Sequence, residues 1–326
     1  MAEKKNTVFD RPGGYATPSG GRKQQTLPLD QIRLLGDIAA KHGPTVESVT
    51  PEFAATDPDT RLYVGDCRDV LPSIPDRGKV SLVFADPPFN WDVPYDGWKD
   101  GMPREEYERF TFDWLDACVD VLAPNGSLWV NIPDDTAAEV VMHLKRRGLT
   151  MINWCVWHFR FGQHREGSFI LSKVHALYFA LDAERRTWNG DAVLEQSDRA
   201  SIYRDKRTQQ KDRNKGMRVP MDVWYGKYWG RIQGNNAERR HGHHNQIPES
   251  YLERVILACS NEGDLVLDPF VGSGTTSTVA RAHQRRSVGV EFSSVNATSA
   301  WDRITEVGMI RKGQSIGRSS AIFPSR

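Results

Sequence analysis

Asp86-Pro87-Pro88-Phe89 sets a carboxylate, two proline-restricted positions and an aromatic ring in four consecutive places. An ionised Asp86 can accept one hydrogen of an amine, and the Pro87 carbonyl can accept the other. Pro88 confines Pro87 to an extended conformation and fixes its own φ, which holds that carbonyl in place. Paired acceptors of this kind suit the exocyclic amine of a nucleic-acid base, a poor nucleophile because its lone pair is delocalised into the ring. Both bonds favour a pyramidal nitrogen with its lone pair aimed at an electrophile. Phe89 offers a flat face for the base, which must leave the duplex stack to be reached. Taken alone, the tetrapeptide is equally well explained as a proline-rich turn after a strand.

Asp268-Pro269-Phe270-Val271-Gly272-Ser273-Gly274-Thr275-Thr276 is a second element of this kind. Its two glycines allow a sharp turn and a close ligand approach with no Cβ in the way. Glu291 follows Gly272 by 19 residues, at the end of the next predicted strand; an acid there accepts hydrogen bonds from ribose hydroxyls in doubly wound folds. The loop lacks the third glycine of a dinucleotide fingerprint and the lysine of a P-loop, so phosphate is not the obvious ligand. A nucleoside without phosphate fits better. S-adenosylmethionine is one, and its methyl sulfonium would be the electrophile. The competing reading of the glycines by themselves is an ordinary strand–helix turn.

Positioning these two loops requires strands that end at them. RLYVGD (61–66) and VSLVFA (80–85) read as buried strands, short and β-branched or aromatic. A helix is predicted from Arg104 to Leu122, because Tyr107, Phe110, Trp114, Cys118 and Val121 recur three or four apart. Pro124-Asn125-Gly126 ends it before the strand SLWVNI (127–132). Asp134, Asp135 and Thr136 offer N-caps to a helix that closes at Gly148. Strands follow at 152–159 and 174–181. After Asp182 the core-like texture stops, and it returns with a helix at 249–260, a strand at 265–270, a helix from Thr275, a strand at 287–291 and a final helix. Strands alternating with helices predict a parallel sheet covered on both faces. Residues 1–55 read as a partly disordered arm with one short helix near Asp30–Lys41.

Composition narrows the class. The chain has 326 residues, 39% hydrophobic and 26% charged, with a formal net charge of +1, as expected of a packed globular protein. Cys67, Cys118, Cys155 and Cys259 form no CxxC pair, which argues against a zinc site or a disulfide framework and suits a reducing cytoplasm. No stretch approaches the ~20 apolar residues of a membrane span. His241, His243 and His244 cluster, but without a nearby cysteine or a patterned acid, so no metal is expected.

Together, DPPF and DPFVGSGTT resemble the amino-methyltransferases that make N6-methyladenine and N4-methylcytosine in DNA. Here DPPF precedes the glycine loop by about 180 residues, the permuted order of the β class of that family. The resemblance covers roughly residues 60–310. It implies a Rossmann-like class I methyltransferase fold: circularly permuted α/β, a mostly parallel seven-stranded sheet with helices on both faces, and an inserted target-recognition region. The implied domains are the arm (1–55), a catalytic half (56–182), a target-recognition insertion (183–240) and a cofactor half (241–326). The family's catalytic positions fall on Asp86, Pro87, Pro88 and Phe89. Its S-adenosylmethionine contacts fall on Asp268, Phe270, Gly272, Gly274, Thr275 and Glu291, on His243, Gln246 and Pro248, and on Asp66 for the adenine ring. Phe89 stands where Tyr is more usual, and His244 where the family has a proline.

Residues 199–231 carry ten Lys or Arg against three Asp or Glu, a local balance of +7. Arg204, Lys206, Arg207, Lys211 and Arg213, with Arg239 and Arg240, are the expected DNA contacts. Trp224, Tyr225, Tyr228 and Trp229 either join them or pack on the main domain. Trp91, Tyr95 and Trp98 either line a base pocket or wall the core. The resemblance implies double-stranded DNA as substrate and admits a restriction endonuclease partner and a homodimer. Asp86 favours adenine N6, since the cytosine-N4 enzymes more often carry Ser there. RNA or protein-amide methylation, and a catalytically inactive DNA-binding module, are the more distant readings.

Overall fold

The structure, a computed structural model, describes residues 49–163, 166–204, 206, 216–226, 229–230, 232, 238–240, 243 and 245–306. The chain divides into two units, Met1–Val46 and Glu47–Arg326, and every described residue belongs to the second. The helix expected near Asp30–Lys41 lies outside the described residues.

Eleven strands are described: β1 (Phe53–Thr56), β2 (Asp59–Val64), β3 (Val80–Ala85), β4 (Leu122–Ile132), β5 (Thr150–Gln163), β6 (Leu171–Ala180), β7 (Glu195–Gln196), β8 (Met217–Arg218), β9 (Val223–Trp224), β10 (Leu265–Asp268) and β11 (Arg286–Glu291). The helices are α1 (Cys67–Val70), α2 (Arg104–Val121), α3 (Ala137–Arg146), α4 (Asp198–Ser201), α5 (Glu249–Cys259), α6 (Thr275–Ala282) and α7 (Ser294–Glu306). One sheet runs in the order β1-β2-β11-β10-β3-β4-β6-β5-β9, and β7 pairs with β8 in a separate ribbon. From β2 to β4 all neighbours are parallel, while β6 is antiparallel to both β4 and β5. The seven expected strands are all present. The sheet is nine-stranded because β1 and β9 extend its two edges, and β1 begins inside the stretch assigned to the arm (1–55) and ends one residue beyond it.

Alternation along the strands divides the core between two faces. Val83 and Ala85 of β3, with Leu265 and Leu267 of β10, pack on the face covered by α1, α2 and α3. Leu82 and Phe84, with Val266, pack on the opposite face under α5 and α6, and Leu62 meets Ala297 and Ala300 of α7 there. Every residue of the predicted α2 stripe is buried. Thr136 sits at the N-cap of α3 without a side-chain hydrogen bond to the helix. Among the described residues, no helix is long and apolar enough to cross a membrane, and no group of three His, Cys, Asp or Glu side chains is placed to hold a metal ion.

The chain leaves β3 toward α2 on one face and β10 toward α6 on the other. The gap between these neighbouring strands is therefore the topological switch point, where open α/β sheets bind ligands at their carboxyl edge.

Candidate active site

Asp86 follows β3 and Asp268 ends β10, so the two carboxylates flank the switch point. Around them opens a cavity of about 380 Å³, within the range of small-molecule sites. Asp86, Pro87, Pro88 and Phe89 line it, as do Asp66, His243, Gln246, Asp268, Phe270, Gly272, Thr275 and Glu291. Pro248 and Gly274 do not. Pro248 is the N-cap residue of α5. Gly274 caps α6 at φ 79°, where an added Cβ would come within 3.1 Å of the Ala300 carbonyl; glycine there serves the packing of α7. At Gly272, also at positive φ, an added Cβ would meet only the Phe270 carbonyl, at 3.9 Å. That is the glycine that leaves the cavity wall open.

Backbone amides fix the carboxylates of Asp268 and Glu291. Phe270 N–H donates to Asp268 Oδ1 at 2.9 Å. Gly272 N–H donates to Glu291 Oε2 at 2.9 Å, and Ser293 N–H donates to Oε1 at 3.1 Å. Burial pushes the Asp268 carboxyl up to about 7 against the hydrogen bonds of Thr276 and Phe270, with Asp86 and Glu291 adding negative charge. Burial likewise raises Glu291. Asp66 N-caps α1 and pairs with Arg68 at 2.7 Å. Burial works against ionisation there, but the Arg68 hydrogen bonds and charge outweigh it and hold the Asp66 carboxyl below its ordinary value.

The loop that begins at Asp86 is held from several sides. Asn131 Nδ2 donates to Asp86 Oδ1 at 3.0 Å, and the buried Tyr107 hydroxyl donates to the Pro88 carbonyl at 2.9 Å. Asn90 and Met102 exchange two hydrogen bonds across the following loop. Trp98 packs between Phe110 at 4.8 Å and Phe292 at 5.5 Å, and it lines the cavity with Tyr95. Trp91 stands edge-on to Phe89 at 5.1 Å.

Some functional candidates were not singled out in the sequence. Asn131 signals itself only as a polar residue inside the apolar run of β4. Arg303 is buried; it donates to the Ser273 carbonyl, to Thr275 Oγ1 at 2.8 Å and to Glu249 Oε1 at 2.7 Å. It thereby ties the glycine loop to both α7 and α5. Gln246 lines the cavity, yet its amide also stitches the preceding segment, accepting from Arg240 N–H at 2.9 Å and donating to the Glu238 carbonyl at 2.6 Å.

Of the expected DNA contacts, Arg204, Lys206 and Arg239 are exposed, and Arg240 pairs with Glu306 at 2.9 Å. Arg207, Lys211 and Arg213 lie outside the described residues, as does Tyr228. Trp224 and Trp229 are buried against Tyr251, and the Arg254 guanidinium lies 4.2 Å from the Trp229 ring, so these two aromatics pack on the main domain. Tyr225 is exposed.

The strand order, the glycine loop and the acid one strand further define a class I methyltransferase fold. Residues 80–300 match the N6/N4 methyltransferase family model, described as DNA methylase, and the chain belongs to that family, whose members draw their methyl group from S-adenosylmethionine. The DNA adenine methyltransferase YhdJ of Escherichia coli (strain K12) is 33% identical over 242 residues, covering 71% of this chain and 77% of that protein. The type II methyltransferase M.BamHI of Bacillus amyloliquefaciens is 29% identical over 271 residues, or 82% of this chain. The chain spans 62% of the length of that relative. The solved PvuII DNA methyltransferase, cytosine-N4-specific, superposes with a TM-score of 0.56 at 17% identity, covering 85% of this chain and 93% of that one, a likeness of fold.

Proposed function

We propose that this chain methylates the exocyclic N6 of adenine in double-stranded DNA, using S-adenosylmethionine and acting on a base turned out of the duplex. One observation carries the reading. Asp86 and the glycine loop share a single cavity whose described lining holds Asp66, Asp86, Asp96, Asp268 and Glu291 but no Lys or Arg. Such a lining disfavours phosphate and suits a ligand that is cationic at both its sulfonium and its ammonium. The residues present therefore fit S-adenosylmethionine.

Glu291 would hold the ribose hydroxyls, Asp66 and Phe270 the adenine side, and Asp268, Thr275, His243 and Gln246 the methionine side, with Gly272 keeping the approach open. Gly274 and Pro248 shape the loops behind them. When bound, the cofactor supplies an electrophilic methyl group on a cationic sulfur.

Asp86 and the Pro87 carbonyl accept the two hydrogens of the target amine and draw its lone pair out of conjugation with the ring. Phe89, backed by Trp91, offers a face for the base. Residues 183–240 form the target-recognition insertion in this reading, with Arg204, Lys206, Arg207, Lys211, Arg213, Arg239 and Arg240 toward the phosphates. A restriction endonuclease of the same recognition site and a second copy of the chain are the further partners that the resemblance admits, and the cytoplasm is the expected compartment.

Asp at position 86 supports adenine over cytosine. The test is mass spectrometry of nucleosides from methylation-free DNA incubated with the protein and S-adenosylmethionine. N6-methyladenine that disappears with Asp86→Ala is the expected result. N4-methylcytosine would move the reading to the other base, and neither product from a cofactor-binding protein would overturn it.

A further inference from the structure

The geometry points to Asn131 and Tyr251 as positioning residues that hold Asp86 oriented and ionised for the amine. This inference rests on the role of Asp86 proposed above. Tyr251, on α5, donates its hydroxyl hydrogen to Asn131 Oδ1 at 2.6 Å, and Asn131, on β4, donates from Nδ2 to Asp86 Oδ1 at 3.0 Å. Asn131 and Tyr251 are both buried, and the residues are 120 positions apart in the chain.

The direction of the relay follows from what each group can do. A carboxylate only accepts, so the amide nitrogen of Asn131 must face Asp86 and its oxygen must face Tyr251. Burial drives the Tyr251 hydroxyl well above its ordinary range, so it stays protonated and remains a donor. Its ring cannot swing away. Trp224 packs against it at 5.1 Å, Trp157 at 5.4 Å and Phe84 at 5.8 Å.

The amide is thus locked with its N–H toward Asp86, which favours the charged carboxylate and fixes its plane. The carboxylate so oriented is the group that accepts the amine hydrogen in the proposed reaction. An aspartate holding its proton would present a donor and lose one of the two acceptors that the chemistry needs.

A purely structural role, satisfying a buried asparagine between β4 and α5, predicts only lost stability when the relay is cut. The two roles separate in the titration of Asp86. Its carboxyl carbon is followed by NMR in the protein without cofactor or DNA, using ¹³C-labelled aspartate assigned with Asp86→Asn. Other ionisable groups near Asp86 are Asp268 on β10, Glu291 on β11 and Tyr251 on α5, with Asp66, Asp96 and His243 elsewhere on the cavity wall.

Asn131→Leu leaves all of these in place and is expected to move the Asp86 midpoint up by about one unit, the worth of one hydrogen bond to a charged group. Tyr251→Phe frees the amide to turn and moves the midpoint in the same direction by less. With DNA and cofactor, Tyr251→Phe is expected to lower kcat by ~10-fold, the scale on which misorientation acts. KM for DNA and Kd for S-adenosylmethionine stay as in the wild type, and the acid limb of the kcat profile moves to higher pH. Circular dichroism establishes that each variant is folded; if Asn131→Leu is not, Tyr251→Phe decides.

An unchanged Asp86 midpoint in a folded Tyr251→Phe or Asn131→Leu variant overturns the relay, even if the wild type methylates DNA. A shifted midpoint in a chain that methylates nothing keeps the relay and overturns the proposed reaction instead.

Discussion

The Gly272 amide donates to Glu291 Oε2 at 2.9 Å, joining the loop after β10 to the end of β11 next to it. With Ser293 N–H on the other oxygen and a further hydrogen bond from the Asn296 side chain, the carboxylate has one fixed orientation. In the proposed reading that fixed carboxylate receives the ribose hydroxyls. Glu291→Gln keeps the volume and turns one acceptor into a donor that faces an amide hydrogen. The expected outcome is a Kd for S-adenosylmethionine raised by ~10-fold or more, as for a lost charged hydrogen bond. Isothermal titration measures it, with the far-ultraviolet spectrum unchanged.

Asp268 gives the protein a pH dependence whose sign can be worked out. Its carboxyl lies near 3.8 when exposed and is pushed up to about 7 by burial. Folding therefore favours the protonated form. That contribution is full below about pH 4, is lost as pH rises toward 7, and changes little beyond it. Asp268→Asn, neutral throughout, should become progressively more stable than the wild type between pH 5 and 8, by an amount on the order of a few kcal/mol. Thermal melts across that range check it. Cofactor affinity should run the other way. A cationic ligand favours ionised Asp268, so wild-type Kd falls as pH rises through 7, and Asp268→Asn loses that slope.

Arg303 carries a structural prediction. Its guanidinium is buried and serves Ser273, Thr275 and Glu249 at once. Arg303→Met leaves the Glu249 carboxylate largely buried without that partner and frees the loop carbonyl. Breaking one side of such a pair costs about 3 kcal/mol or more. Urea unfolding should show it as a lower midpoint at constant m. Adding Glu249→Gln removes the stranded charge, and the double variant should regain part of the loss.

The placement of these groups explains what could be read from the sequence. The strand at 80–85 is a short apolar run bounded by turn residues, and the stripe of α2 follows a period of 3.6; both are local information. The two loops that meet at the cavity are also local, each recognisable by its own residue types. Their convergence followed only from the family resemblance and the parallel order. The Asn131–Tyr251 bond spans 120 positions and the Arg303–Glu249 bond 54, and no pattern within either segment announces its partner. Strand β9 is two residues long and pairs with β5 at the sheet edge; its partner strand specifies it, and its own composition does not. Trp224 and Trp229, read as DNA contacts or packing, lie in the core because Tyr251 and Arg254 form a surface for them.

The proposed insertion is the test of DNA recognition. Its basic balance of +7 over residues 199–231 falls between β6 and α5 in the chain, and Arg204 and Lys206 are exposed. Each Lys or Arg that neutralises a phosphate releases counterions, so the dependence of log K on log salt steepens by about 0.9 per contact. Replacing Arg204, Lys206, Arg207 and Lys211 together by Ala should weaken DNA binding at low salt and flatten the slope by roughly 2 to 4 units. Fluorescence anisotropy with a labelled duplex from 50 to 200 mM salt (roughly the range over which such contacts are lost) measures both quantities. S-adenosylmethionine affinity should not change, because Arg204 and Lys206, the described pair, are exposed and do not line the cavity. A slope equal to that of the wild type would place the DNA contacts elsewhere on the chain and remove the insertion from the recognition surface.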